Sequence, residues 1–220
     1  MVIKITPLSN GSASDKPFNV PDPLPKTAFF MNVCGERGSG KTVLIQNLVQ
    51  IYKSEMDYII FMSPSIRRND DYDFIKEDGE TVYKFDNVNE FSSIIKEMIK
   101  SQDDLLKGGK RKDVPNVLLV LDDILECNVA GHRNIVEKIS LNGRHMKISV
   151  ILAGQVFKAI SNKIRSNSDM SVMFSCTNLA EMDKYVQEFV KKTHRKTVEG
   201  KLDVVFNEPY SFVTMIGKTM

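Results

Sequence analysis

The chain has 220 residues, a length that fits one compact α/β domain with room for a full core. Apolar residues make up 42% and charged residues 26%, an ordinary globular balance, and a net charge of only +2 excludes a sequence-wide basic signature of nucleic-acid binding. Any nucleic-acid contact must come from local patches or from several copies acting together. No stretch approaches the ~18 apolar residues of a membrane span. MVIKITPLSN at the start lacks the long apolar run of a secretion signal, so no membrane insertion is expected. Cys34, Cys127 and Cys176 are isolated thiols, which fits a reducing compartment and argues against a disulfide framework or a zinc site. His132, His145 and His194 show no metal-ligand spacing and read as surface or satisfied histidines.

Five of the eight prolines (Pro7, Pro17, Pro21, Pro23 and Pro25) fall before residue 26. With GSAS at 11–14 they exclude a long helix or a central strand there. Residues 1–26 read as an extended arm on the domain or on a neighbouring subunit, or else as a loosely held tail; residues 27–220 read as a single domain. From residue 29 the chain alternates apolar runs with helical patterns, as a parallel sheet covered by helices on both faces requires. FFMNVC (29–34), YIIFMS (58–63), NVLLVLDD (116–123), KISVILAGQ (147–155) and MSVMFSC (170–176) are the core strands, with TVYKF (81–85) a short extra one. A helix is expected from about Lys41 to Lys53. Asn87 with Glu90, and Asn178 with Glu181, have capping-box spacing ahead of two further helices. LDVVFN (202–207) and YSFVTMI (210–216) predict a C-terminal β-hairpin.

GERGSGKT (35–42) matches G-x-x-x-x-G-K-[ST] at every fixed position and lies between a buried strand and a helix, where a phosphate-binding loop belongs. Gly35, Glu36, Arg37, Gly38, Ser39, Gly40, Lys41 and Thr42 are therefore the candidate ATP cradle. Backbone amides and the helix N-terminus would face the phosphates. Lys41 would reach the β- and γ-phosphates, and Thr42 would ligate Mg²⁺. Asp122, at the end of the most apolar strand, would hold the Mg²⁺ through a water, and Asp123 beside it would polarise the attacking water. A further strand ends in Gln155. That order points to the RecA-like (ASCE) division of P-loop NTPases, in which an extra strand lies between the P-loop strand and the acidic strand. Gln155 would then sense the γ-phosphate or orient the water.

The stretch NGRHMKISVILAGQVFKAISNKIRSNSDMSVMF (142–174) resembles the FtsK–HerA superfamily of DNA-pumping ATPases. The family's Arg before a hydrophobic strand, Gln at its tip, and basic residue and Asn before the next strand read here as Arg144, Gln155, Arg165 and Asn167. With GERGSGKT and LLVLDD the resemblance covers roughly residues 29–176. Within the superfamily the chain looks most like the compact genome-packaging ATPases of poxviruses, giant viruses and virophages: it is short, lacks a membrane segment and has no winged-helix sequence after the core. The resemblance implies a homo-oligomeric ring, a hexamer by the family pattern. It further implies double-stranded DNA as cargo, capsid or portal-vertex proteins as partners, and action at a virus assembly site in the host cytoplasm or on the virion. It makes Arg144 the expected arginine finger acting in a neighbour's site, with Arg165 the second candidate; either is otherwise a surface arginine paired with a carboxylate.

Candidate DNA contacts are Lys107, Lys110, Arg111 and Lys112 in LLKGGKRKD. Lys191, Lys192, Arg195 and Lys196 form a second basic cluster and Arg67-Arg68 a third. Taken singly, each such run is ordinarily a solvated face; repeated around a pore, a few cations per subunit can neutralise many phosphates. None shows the aromatic interleaving of a single-strand stacking platform. Two other functions remain open from the residues: a small-molecule or nucleoside kinase, and a nucleotide-binding scaffold that does not hydrolyse. A GTPase fits less well, because no N/T-K-x-D motif follows the core strands.

Overall fold

The computed structural model describes residues 17–67, 70–109, 111–127, 129 and 131–217. Among them, seven strands form one sheet: β1 (Phe30–Cys34), β2 (Tyr58–Met62), β3 (Val82–Phe85), β4 (Val117–Asp122), β5 (Ile148–Gly154), β6 (Met170–Phe174) and β7 (Phe212–Ile216). Their order is β3-β2-β4-β5-β1-β6-β7. All neighbours run parallel except the edge pair β6–β7. The helices are α1 (Lys41–Tyr52), α2 (Phe91–Gly108), α3 (His132–Asn142), α4 (Asn162–Ser166), α5 (Leu179–Phe189) and α6 (Arg195–Val205).

Strand side chains alternate between two buried layers, as the period of two demands. Phe30, Cys34, Val117, Leu119 and Leu121 face a layer built with Ile94, Ile95 and Met98 of α2, Ile135 and Ile139 of α3, and Tyr185 of α5. Met31, Val33, Leu118 and Val120 face the other, built with Ile45, Leu48, Val49 and Tyr52 of α1. Phe18 and Val20 join that second layer, and the Tyr52 hydroxyl donates to the Pro25 carbonyl at 2.8 Å. The end of the proline-rich segment thus closes over α1. Because both faces are covered, the runs in β1, β4 and β5 are buried throughout and mainly apolar, without regular polar alternation.

Two local expectations are corrected. The sheet does end in an antiparallel pair, but the partner of β7 is β6, and residues 202–205 belong to α6. The LDVV run reads as a strand by β-propensity, yet Val204 is 70% exposed. Val198, Leu202 and Phe206 instead lean inward at helical spacing, so periodicity overrides propensity. Ahead of α2, Asn87 and Glu90 do not form a capping box: Asn87 Nδ2 donates to Glu90 Oε1 at 2.7 Å in a turn preceding the helix. Asn178 does cap α5, accepting from the Ala180 amide at 3.0 Å. Its expected partner Glu181 instead accepts from the Lys158 amide at 3.0 Å. Asn178→Ala should therefore cost about 1 kcal/mol, and Asn87→Ala less, in paired urea unfolding curves.

Candidate nucleotide site

The site is built by register. β5 lies between β1 and β4, with Cys34 opposite Gly154 and Asp122 opposite Ala153. The chain leaves all three strands at the same edge. The Gly35 amide donates to Gly154 O at 3.2 Å, and the Asp123 amide to Ala153 O at 3.1 Å. Three segments distant in sequence then surround one cavity of 630 Å³. Its lining includes Arg37, Gly38, Gly40, Lys41, Thr42, Asp122, Asp123 and Gln155.

The phosphate-loop end of this cavity follows from local geometry. A side chain at Gly35 would meet Ser39 Oγ at 2.5 Å and Phe174 Cβ at 2.7 Å, so the loop packs on β6 only with glycine there. Gly40, the N-cap of α1, has φ 102°, a conformation costly for other residues, and no side chain caps the helix. The first amides of α1 are left for an anionic ligand. Lys41 is buried, with Nζ donating to Gly35 O at 2.7 Å and Glu36 O at 3.0 Å, which holds the ammonium over the loop. Glu36 reaches outward and accepts from the Thr177 amide and hydroxyl at 2.6 and 2.7 Å, tying the loop to the end of β6.

The acidic end concentrates negative charge. Burial, then the Asp123 charge, push the Asp122 carboxyl up to about 6, while the Tyr72 hydroxyl and Lys41 pull it down. Asp123 turns out of β4 at φ 54°; its Oδ1 is buried without a hydrogen-bond partner, and its Oδ2 lies 3.4 Å from Gln155 Nε2. Buried, underneutralised oxygens that share a cavity with Thr42 fit a hard divalent cation such as Mg²⁺, which takes few protein ligands alongside phosphates and waters. Among the described residues no cluster of three His, Cys, Asp or Glu side chains could hold a metal without such help.

Two participants escaped the sequence reading. The Tyr72 hydroxyl, from the loop after β2, donates to Asp122 Oδ2 at 2.9 Å. Glu126, in the turn after Asp123, accepts from the Gln155 amide at 2.9 Å and so fixes the turn that aims Gln155. Burial, set against that hydrogen bond, raises the Glu126 carboxyl. Neither contact has a local sequence signal, since Tyr72 lies 50 residues from its partner and Glu126 lies 29 from its own.

The two arginines have different fates. Arg144 precedes β5, whose seven residues span roughly 23 Å, so it sits at the sheet edge opposite the cavity. Its side chain is 56% exposed and pairs with Asp169. Arg165 is only 3% exposed: it pairs with Glu188 at 3.2 Å, donates to Ile160 O and Asn162 Oδ1, and lies 5.1 Å over the Phe157 ring. It is enclosed in its own domain. Of the DNA candidates, Lys110 lies outside the described residues. Lys107 pairs with Asp103, Lys112 is exposed, and Arg111 donates to His145 O at 2.8 Å. That last bond places the basic loop beside Arg144. Arg195 donates to Val190 O and Gln187 O, and Arg67 is held by Glu77 and Asp86. No described helix is long and apolar enough to cross a membrane.

Residues 16–209 match the family described as Poxvirus A32 protein. The chain belongs to that family. Among curated proteins it is 24% identical over 173 residues to uncharacterized protein 015R of Frog virus 3 (isolate Goorha), covering 79% of this chain and 52% of the relative. It is 26% identical over 179 residues to uncharacterized protein 088R of Invertebrate iridescent virus 3, covering 81% and 65%. The chain thus spans between half and two thirds of the length of these relatives. The fold is shared with B204, the DNA-packaging ATPase from Sulfolobus Turreted Icosahedral Virus, at TM-score 0.65 and 15% identity over 86% of this chain and 93% of that one. The conjugation coupling protein TcpA of pCW3, solved with ATPγS, matches at TM-score 0.59 and 14% identity over 88% and 64%. EssC from Geobacillus thermodenitrificans matches at TM-score 0.53 and 14% identity over 71% and 34%. These likenesses show a shared fold, the mainly parallel α/β architecture that the sequence predicts.

Two measurements check this site. Arg165→Ala removes a buried guanidinium with its hydrogen bonds to Ile160 O and Asn162 Oδ1 and leaves Glu188 to Lys184, so it should lower stability by about 2 kcal/mol, whereas exposed Arg144→Ala should cost under about 1 kcal/mol; denaturant unfolding of both variants decides. The second concerns Asp122. The folded protein holds this proton more tightly than the unfolded chain, whose ordinary value is 3.8. Asp122 therefore lowers stability progressively as pH rises from about 4 to about 6, by on the order of 3 kcal/mol in total. Without Mg²⁺ or nucleotide, Asp122→Asn should lose correspondingly less stability across that window. Equal pH slopes would show that Asp122 ionises as an ordinary carboxylate.

Proposed function

We propose that the protein is an ATP-hydrolysing motor that moves double-stranded viral DNA into preformed capsids as a homo-oligomeric ring. The observation that carries this reading is the convergence of Lys41, Thr42, Asp122, Asp123 and Gln155 on one cavity at the ends of β1, β4 and β5. Membership of the Poxvirus A32 family and the fold shared with a DNA-packaging ATPase support it.

In this reading the loop amides and the N-terminus of α1 bind the phosphates, and Lys41 swings from the loop carbonyls to the β- and γ-phosphates. Thr42 and, through a water, Asp122 would hold Mg²⁺, which would supply charge neutralisation on the phosphates. Gln155 orients the attacking water and Asp123 accepts its proton. Tyr72 holds the Asp122 carboxylate in place. Arg144, paired with Asp169 at the far edge, is offered to the site of the next subunit, where it would stabilise charge on the transferring phosphoryl group. Arg111 lies beside Arg144, so a DNA contact made by its basic cluster would form near the subunit boundary. Capsid or portal-vertex proteins are the proposed docking partners, at the assembly site in the host cytoplasm.

The test is the rate of phosphate release with and without duplex DNA. The wild type should hydrolyse ATP and accelerate with DNA of any sequence. Lys41→Ala should lose binding and turnover. Asp123→Asn should bind ATP yet fall at least about 100-fold in rate, the scale of a missing general base. Stimulation by a nucleoside instead of DNA would favour the kinase; no phosphate release from the wild type would favour the scaffold.

DNA binding by the loop is tested with Lys107, Lys110 and Lys112 all changed to Ser. Arg111 is left in place because it braces the Arg144 turn. The slope of log affinity against log salt should flatten by about 0.9 for each phosphate that the protein no longer neutralises. An unchanged slope would make the loop a solvated face.

A further inference from the structure

Tyr210 is the most exposed aromatic side chain among the described residues, at 73%, and it lines the nucleotide cavity. Its backbone is at φ 60°, a region that bulky residues seldom occupy and that is held only where the surroundings enforce it. The surroundings here do so. The Ser211 amide donates to Glu208 O at 3.3 Å, closing the turn around Pro209. Phe212 is then registered opposite Phe174 in the β6–β7 pair, their rings 5.2 Å apart. Phe174 packs on the phosphate loop, so the antiparallel edge fixes Tyr210 relative to Gly40. A methyl group at Gly40 would touch Tyr210 Cδ1 at 3.6 Å. Val43, in the first turn of α1, is 60% exposed and lines the same cavity.

The phosphate-binding amides end at Gly40, Lys41 and Thr42. Beside them, the cavity wall includes an exposed aromatic ring and an exposed valine, whose faces suit a flat apolar group and, the phenol hydroxyl aside, offer nothing to a phosphate. We propose that Tyr210 is the stacking platform for the nucleobase of the bound nucleotide, with Val43 as the neighbouring apolar wall. This rests on the nucleotide reading above and names how the rest of the ligand is held. Stacking uses the face of a base and not its edge. Tyr210 therefore favours purine nucleotides over pyrimidine ones by contact area, without choosing adenine over guanine.

The experiment is titration calorimetry of ADP, GDP and pyrophosphate into the wild type, Tyr210→Phe and Tyr210→Ala. Tyr210→Ala should weaken ADP and GDP alike by roughly tenfold or more, the scale of one base–aromatic stack removed. It should leave pyrophosphate within about twofold, and Tyr210→Phe should retain nucleotide affinity. Unchanged ADP affinity in Tyr210→Ala would overturn the proposal. So would a parallel loss of pyrophosphate, which would mean that the ring acts on the loop. A wild type that binds neither ADP nor pyrophosphate would instead overturn the nucleotide reading on which the proposal stands.

Discussion

The hydrogen-bond ladder that holds β5 between β1 and β4 is the constraint on which the site depends. Five register pairs join β5 to β1 and six join it to β4. They bring the loop after β1, the acids after β4 and the glutamine after β5 to one level. No side chain of the site touches all the others; the backbone ladder aligns them. A slip of one residue in β5 would turn every side chain of that strand to the other face and move Gln155 away from Asp123. The burial of both faces of β5 secures the register, because Ile148, Val150, Leu152 and Ile151, Ala153 each belong to a buried layer.

Upon that frame the charges are arranged unequally. Lys41 is the buried cation of the cavity, set against Asp122, Asp123 and the nearby Glu126. The imbalance keeps the Asp122 carboxyl proton-prone without a ligand and makes the site receptive to a cation bound together with phosphate. Arg37 adds an exposed cation at the cavity, and the two arginines of the 142–174 stretch lie outside its lining. Arg165 is consumed in bracing α4 against α5 and Phe157. Arg144 stays solvent-exposed at the far edge with one carboxylate partner. Arg37 lines the cavity from the glycine loop, while exposed Arg144 stands a strand length away, at an edge where it is open to a neighbouring copy.

Much of this was legible in the sequence, for identifiable reasons. The phosphate loop is readable because glycine spacing encodes backbone geometry directly, and β1, β4 and β5 because buried parallel strands carry no polar alternation. Gln155 beside Asp123 was readable because strand ends in such sheets share one edge. Tyr72 and Glu126 were not, because their roles arise from contacts between segments that only the sheet brings together. The 202–205 segment misled because β-branched residues signal strand, while the inward lean of Val198, Leu202 and Phe206 needs the helix to be seen. That Arg165 is buried was not legible, because a motif position says nothing about burial. Its carboxylate partner, Glu188, lies on α5, beyond the stretch that carries the motif.

The central claim is that hydrolysis needs residues from two subunits, and mixing two inactive variants tests it most directly. Lys41→Ala lacks a working phosphate loop and keeps Arg144; Arg144→Ala keeps the loop and lacks the arginine. Each alone should hydrolyse ATP very slowly. Rings assembled from both contain interfaces where an intact loop meets an intact arginine, so the mixture should regain a measurable fraction of wild-type turnover. A mixture that stays inactive, while native mass measurement shows mixed rings, would contradict the account.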